Sequence, residues 1–347
     1  MIDSARGDDP PEPPADTASI PDADWARAVK ILAEADQVGL ACHLRPDADA
    51  LGSMLAVGLA LRARAPRPPA IVASFGDEPF EVPEILRFLP GLDLLSPPDR
   101  YPARPQVMLT LDAGSIDRLG PLAASAAAAD ELIVLDHHAS NTRFGTVSLV
   151  DPGAAASAVL ACELIDRLGI ALTHDIALGL YAGLVTDTGS FKFSSTTPAV
   201  HTLAARLLAY QINPADVSRP LYDTAPFAYL PMLASALNRT QLDPRACRGL
   251  GLVWTTVTRQ DRGSLPLDAT ESVIDVIRRT EEAEVAAVLK EDDEGIWQVS
   301  IRSKSLVDVA RAATALGGGG HARAAGFSAS GGPDVTIAAL RPLLDQG

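Results

Sequence analysis

Two rhythms of apolar residues divide the chain. In the first, uninterrupted runs alternate with helical spacing: a helix from Trp25 to Ala35, then QVGLACH as a short buried strand, then LGSMLAVGLALRAR with Leu51, Leu55 and Leu59 on one helical face. PAIVASF, PQVMLTLD (105–112) and ELIVLDHH (131–138) are three more apolar runs, and an Ala-rich helix over 121–129 separates the last two. Further helices fall at 156–169, in HDIALGLYAGLVTDTGSF, which ends in a Thr/Asp/Gly turn, and at 198–210. Continuous apolar strands separated by helices predict a parallel sheet covered on both faces.

After a connecting helix over 226–242 the rhythm changes. RGLGLVWTTV, EEAEVAAVLKED and GIWQVSIRS alternate apolar and polar residues as antiparallel strands do. LVDVARAATAL then reads as a helix, followed by GGGGHARAAGFSAS. The expected fold class is α/β. A parallel-sheet domain with helices on both faces spans 21–225, and a smaller mixed α/β domain over 243–347 faces it across a cleft. No internal repeat is evident.

Composition narrows what such a fold can do. The chain has 347 residues, 47% of them apolar, enough for two cores. Its formal charge of −15 argues against general affinity for long nucleic acids. An anionic substrate remains possible, because bound divalent cations reverse the local field. Cys42, Cys162 and Cys247 are odd in number and form no CxxC pair, which fits a reduced, cytoplasmic setting. The start, MIDSARGDDPPEPPADTASIPDAD, lacks a basic and an apolar region, so residues 1–20 read as a disordered acidic tail rather than a signal peptide. No apolar stretch approaches the ~18 residues of a membrane span.

The polar residues that close the apolar runs carry the chemistry. In HLRPDADALGS, His43 ends the first strand and Asp47 and Asp49 follow it. Asp112 ends the third strand, Asp136, His137 and His138 end the fourth, and Asp187 follows an apolar helix. Taken singly, HLRPDADALGS and TDTGSF also read as a turn or a helix cap and Asp112 as a solvated strand end, whereas a His137-His138 pair after a buried strand is less ordinary. Together they meet at one place, since ligands of open α/β sheets bind beyond the carboxyl ends of the strands. Aspartate and histidine without thiolates suit two hard divalent cations, Mn²⁺ or Mg²⁺, rather than structural zinc. Clustered carboxylates repel one another, and two divalent ions would cancel that charge. Such a pair can acidify a water and stabilise phosphoryl oxygens.

HLRPDADALGS, LDAGSIDRLG, LDHHASN and VTDTGSF resemble, in order, the four motifs of the DHH phosphoesterase superfamily. IRSKSLVDVARAATALGGGGHARAAGF resembles the DHH-associated substrate-binding domain. Within the superfamily the pattern is similar to the NrnA-type oligoribonucleases and 3′-phosphoadenosine 5′-phosphate phosphatases. The resemblance implies His43, Asp47 and Asp112 around one Mn²⁺, and Asp49, Asp112, His137 and Asp187 around a second, with Mg²⁺ or Co²⁺ as substitutes. It implies that His138 touches the substrate phosphate, that Asp136 supports the histidines, and that Arg118 lies near the phosphate. Arg302, Ser303, Gly318, Gly319, Gly320 and His321 would grip the nucleotide, with Lys304 a further helper. It also implies a homodimer acting on short oligonucleotides, dinucleotides such as pApA and, by extension, cyclic di-AMP. Other readings stay open: a pyrophosphatase or polyphosphatase using the same metals, a non-hydrolysing cyclic-dinucleotide sensor, and a glycine run that is only a helix cap and linker.

Overall fold

A computed structural model describes residues 20–346. The expected acidic tail lies outside the described residues except for Ile20, which packs against the first core. The chain divides between Tyr222 and Asp223 into two compact units.

The first unit runs α1 (Asp22–Glu34), β1 (Gln37–Cys42), α2 (Ala48–Arg62), β2 (Ala70–Ser74), β3 (Val107–Leu111), α3 (Ala123–Ala128), β4 (Glu131–Asp136), β5 (Val147–Val150), α4 (Ser157–Arg167), α5 (His174–Asp187), α6 (Pro198–Leu208) and α7 (Pro214–Tyr222). The sequence reading contains neither β5, a strand of four residues, nor α7, which carries Pro220 inside it. All strand pairings are parallel, in the order β2-β1-β3-β4-β5. Side chains alternate between two buried faces. Leu40, Cys42, Leu109, Leu111, Ile133 and Leu135 join the core formed with α2, α4 and α5. Ala41, Met108, Leu132 and Val134 pack on the other side with Leu119, Leu122 and Ala126. The strand order reverses between β1 and β3, and side chains just beyond those two strands therefore border the natural ligand crevice of the sheet.

Helices α2 and α5 cross closely enough to require glycine. A Cβ on Gly52 would lie 2.5 Å from the Gly179 carbonyl oxygen, and one on Gly179 would lie 2.7 Å from that of Gly52. One turn beyond Gly179, a Cβ on Gly183 would meet Asp49 Oδ1 at 2.5 Å. The small residues of α5 thus bring its carboxyl end, and Asp187 with it, against the start of α2.

The second unit runs α8 (Tyr229–Asn238), β6 (Gln241–Asp243), β7 (Leu252–Val257), α9 (Val273–Ile277), β8 (Val285–Glu291), β9 (Trp297–Ser303), α10 (Val309–Ala315), β10 (Gly319–His321), β11 (Ala324–Ala329) and α11 (Pro333–Leu344). Its sheet order is β10-β11-β9-β8-β7-β6. The expectation of antiparallel strands fails at one pairing, because β7 and β8 are parallel. Both strands are covered on both faces: Leu252, Trp254, Val285, Ala287 and Leu289 enter one core, and Val253, Val257, Ala286 and Val288 another. The connection between them carries α9 and is long enough for a crossover.

The glycine run is more ordered than a linker. Gly317, at φ 82°, follows the last residues of α10, with the Gly317 N–H on Thr314 O at 3.0 Å and the Gly318 N–H on Ala313 O at 2.8 Å. That is a Schellman cap. Gly319 and Gly320 then enter β10, paired antiparallel with β11. The helix-cap reading holds for Gly317 and Gly318, and the flexible-linker reading does not.

Candidate metal centre

The four motifs of the first unit converge beyond the carboxyl ends of β1, β3 and β4. His43 follows β1 and Asp112 follows β3, with Asp112 in the left-handed region at φ 58°. Asp136 closes β4, His137 and His138 come next, and Asp187 is the last residue of α5. Ligand atoms of His43, Asp47 and Asp112 lie within 4.8 Å of one another, as do those of Asp49, His137 and Asp187, and those of Asp112, Asp136 and His138. Asp47 has a second role as N-cap of α2, its Oδ1 accepting the Asp49 and Ala50 N–H groups, each at 3.0 Å.

The imidazoles are fixed by what their outer nitrogens touch. His43 Nδ1 lies 2.7 Å from the Leu44 carbonyl and His137 Nδ1 lies 3.1 Å from that of Ala154. A carbonyl only accepts, so both Nδ1 atoms carry protons and the Nε2 atoms face the carboxylates. His43 Nε2 lies 3.5 Å from Asp112 Oδ2, and His137 Nε2 lies 3.1 Å from Asp187 Oδ2 and 3.6 Å from Asp112 Oδ1. His138 is oriented differently, donating Nδ1–H to Asp136 Oδ1 at 2.7 Å. Asp136 is fully buried and also accepts Asn141 Nδ2 at 2.6 Å and the His137 N–H at 2.9 Å.

Asp49 and Asp112 are held by the start of α4. The residue at the α4 N-cap is Ala156, which has no side-chain oxygen to cap the helix. Asp49 takes that role across the fold, accepting the N–H groups of Ser157 at 2.6 Å and Ala158 at 2.9 Å, and the Ser53 hydroxyl at 3.1 Å. The Ser157 hydroxyl donates to Asp112 Oδ1 at 2.9 Å. Sequence reasoning misses Ser157, Ser53 and Asn141. Asn141 stands inside LDHHASN, and Ser157 opens a predicted helix behind an apolar strand, a position where a hydroxyl is normally read as a local cap. Ser157→Ala should weaken divalent-metal binding by about 10- to 100-fold, read by titration calorimetry, with an unchanged far-ultraviolet dichroism spectrum.

The electrostatics ask for positive charge. Burial pushes the Asp49 carboxyl well up, with the Asp112 and Asp187 charges adding to it, and raises Asp187 to about 6. Burial opposes charge on His43, yet its bond to Asp112 and the fields of Asp47 and Asp112 raise it to about 9. Beside them the Cys42 thiol, buried at the end of β1, is driven upward by burial and by Asp112, so it stays protonated and offers no thiolate. Against its burial, the three histidines hold Asp112 well below the usual carboxylate range, while Asp49 and Asp187 are raised. Inward-facing imidazole nitrogens, crowded buried carboxylates and a silent thiol fit a pair of hard divalent ions. Arg118 lies at the same rim, its pKa lowered by partial burial and by the neighbouring Arg45 against the fields of Asp112, Asp47 and Asp77, and its carbonyl accepts the Leu44 N–H at 2.8 Å.

Residues 37–184 match the DHH family, N-terminal domain, and residues 260–343 match the DHHA1 domain. The chain is 34% identical over 295 residues to the bifunctional oligoribonuclease and PAP phosphatase NrnA of Thermus thermophilus, with 84% of each chain covered. This chain belongs to the DHH phosphoesterase family, in its NrnA branch. It is 26% identical to the NrnA of Bacillus subtilis, over 86% of this chain and 91% of that one. An exopolyphosphatase-related protein from Bacteroides fragilis shares the fold, with a TM-score of 0.83, 23% identity and coverage of 95% and 98% of the two chains.

The other candidates lie in the second unit of this DHH protein. Arg302 is half-buried on β9, one row from Ser300, and His321 ends β10. Ser303 donates its hydroxyl to Glu284 at 2.8 Å and Lys304 Nζ reaches the Thr280 carbonyl at 2.5 Å, so both tie the 303–306 loop to its own unit. Glu284 also accepts the Ser305 and Leu306 N–H groups, each at 2.6 Å. The Gly318 N–H belongs to the helix cap, whereas Gly319 and Gly320 are exposed on the edge strand.

Proposed function

We propose that this chain hydrolyses short oligoribonucleotides and linear dinucleotides such as pApA to mononucleotides, and 3′-phosphoadenosine 5′-phosphate to AMP, with cyclic di-AMP as a further substrate. The metal is proposed to be Mn²⁺, two per chain. The supporting observation is the pair of donor groups, His43/Asp47/Asp112 and Asp49/His137/Asp187, with both imidazole Nε2 atoms turned inward. Substrate class follows the names of the relatives. The net charge of −15 supports a preference for short chains over long ones.

His43, Asp47 and Asp112 would hold one ion, and Asp49, Asp112, His137 and Asp187 the other. Bound there, the ions supply Lewis-acid charge to phosphoryl oxygens and acidify a water. His138 donates its Nδ1–H to Asp136, which fixes the ring, and in the imidazolium form its Nε2–H would donate to a phosphoryl or leaving oxygen. Asp136 keeps that ring oriented, and Arg118 adds a guanidinium for the substrate phosphate. In the second unit, Arg302, Gly319, Gly320 and His321 are assigned to the nucleotide, while Ser303 and Gly318 serve by holding the loop and the cap. Three buried thiols outside any disulfide support a cytoplasmic setting. A homodimer belongs to the same reading and is checked by light scattering.

The test is turnover with Mn²⁺. Release of mononucleotide from a diribonucleotide, and of phosphate from the bisphosphate, is expected, and loss of both overturns the reading. His138→Gln should lower kcat by about 10²- to 10⁴-fold with metal stoichiometry unchanged.

A further inference from the structure

Lys290 is a cation inside a strand that is covered on both faces. It sits on β8 at 2% exposure, among the largest fully buried side chains of the protein. Its ammonium is paired with Glu271 Oε1 and donates to Ser300 Oγ at 2.7 Å, and Ser300 Oγ in turn donates to Glu271 Oε2 at 3.0 Å. Both carboxylate oxygens of Glu271 are therefore engaged, although Glu271 is itself half-exposed. Registry explains the grouping. Val288 pairs with Ser300 and Ala286 with Arg302, so Lys290, Ser300 and Arg302 share one face of the sheet. Arg302 stands in the field of Glu271 and of Asp275, with Arg278 opposing them. Its Nη1 donates to the Ile301 carbonyl at 3.1 Å, and the guanidinium has further donors for an anionic partner.

A carboxylate bonded to Ser300, two residues along the same sheet face, and acting on Arg302 through its field is a natural partner for that arginine, because the planar guanidinium fork matches two carboxylate oxygens. Here the carboxylate is directed to a lysine and a serine instead. We infer that Lys290 is a positioning residue: by holding Glu271, together with Ser300, it keeps the Arg302 guanidinium open to an anionic group of the nucleotide. In a chain of charge −15, neutralising one nearby carboxylate also leaves this patch with local positive charge. The inference rests on the assignment of Arg302 to the nucleotide under the proposed function, and it adds the device that keeps that arginine available.

The experiment uses the full chain with Mn²⁺ and reads KM and kcat for a diribonucleotide, and Kd for AMP by calorimetry. Lys290→Met releases Glu271 to Arg302, so KM and Kd should rise about 10- to 100-fold with kcat within about twofold of the parent. Adding Glu271→Gln to it removes the competing carboxylate and should bring both constants back to within about threefold. Ser300→Ala, which frees one oxygen of Glu271 and leaves the lysine in place, should shift them the same way by a smaller factor; it serves if Lys290→Met folds poorly. A double variant as impaired as Lys290→Met, or a Ser300→Ala protein with unaltered constants, overturns the inference. Arg302→Met separates the two levels: if it leaves KM and Kd unchanged, the assignment of Arg302 to the nucleotide is wrong and the inference falls with it.

Discussion

Asp112→Asn should reduce turnover of a diribonucleotide by about 10³-fold or more while the protein stays folded. Asp112 is the carboxylate shared between the donor groups, near His43 Nε2 through Oδ2 and His137 Nε2 through Oδ1. Its backbone is left-handed, at φ 58°, a conformation that asparagine tolerates better than alanine does. The amide keeps the Ser157 hydroxyl as a partner for its oxygen and loses one negative charge at the point where two cations would meet. Weakened charge stabilisation at phosphorus is worth several kcal/mol, and each 1.36 kcal/mol is about tenfold in rate. Metal content by mass spectrometry should fall below two ions per chain, with the dichroism spectrum retained. Parent-like turnover from that variant would remove the two-metal reading.

Chelation should abolish turnover and lower the melting temperature by ~5–10 °C, from ligand stabilisation of about 2.7 kcal/mol at a hundredfold excess over Kd. Readdition of Mn²⁺ should restore both. The loss should grow with pH. His43, raised to about 9 in the fold, contributes stability that is full below its unfolded value of ~6.5 and disappears as pH rises through 9. Asp187, raised to about 6, likewise loses its contribution as pH rises through that value. The His43 shift, with only the end of the Asp187 titration, makes the metal-free protein weaker between pH 6 and 9, where the ions bind best because their ligands are deprotonated. Differential scanning at pH 6 and pH 8.5, with and without chelator, reads the difference; an equal or smaller drop at the higher pH would contradict this account.

The first unit was readable because its strands are continuous apolar runs that end abruptly in His or Asp. A reader who finds His43, Asp112 and Asp136 at strand ends needs only the rule for open α/β sheets to bring them together. Asp47 shows that the two readings of HLRPDADALGS were not rivals: one oxygen caps α2, and the residue also stands in the cluster with His43 and Asp112. Ser157 was invisible because its contacts are with Asp49 and Asp112, far away in the chain, and a serine opening a helix looks like a local cap. The parallel pairing of β7 and β8 escaped because polar residues inside those strands, Thr255 and Lys290, are buried by partners that pattern alone does not reveal. The Schellman cap of Gly317 was legible from glycine after a helix, but the pairing of Gly319 and Gly320 with β11 needed the tertiary fold.

The five residues from Ala154 to Ala158 bind no substrate in any reading above, yet they touch three of the proposed ligands: the Ala154 carbonyl sets the His137 ring, and the amides and hydroxyl at the mouth of α4 grip Asp49 and Asp112. The assembly therefore has a keystone that lies outside the four motifs. An insertion or a proline there would scatter ligands from several motifs at once, and a sequence that kept all four signatures intact but altered this bend would describe an enzyme that looks whole and does not work.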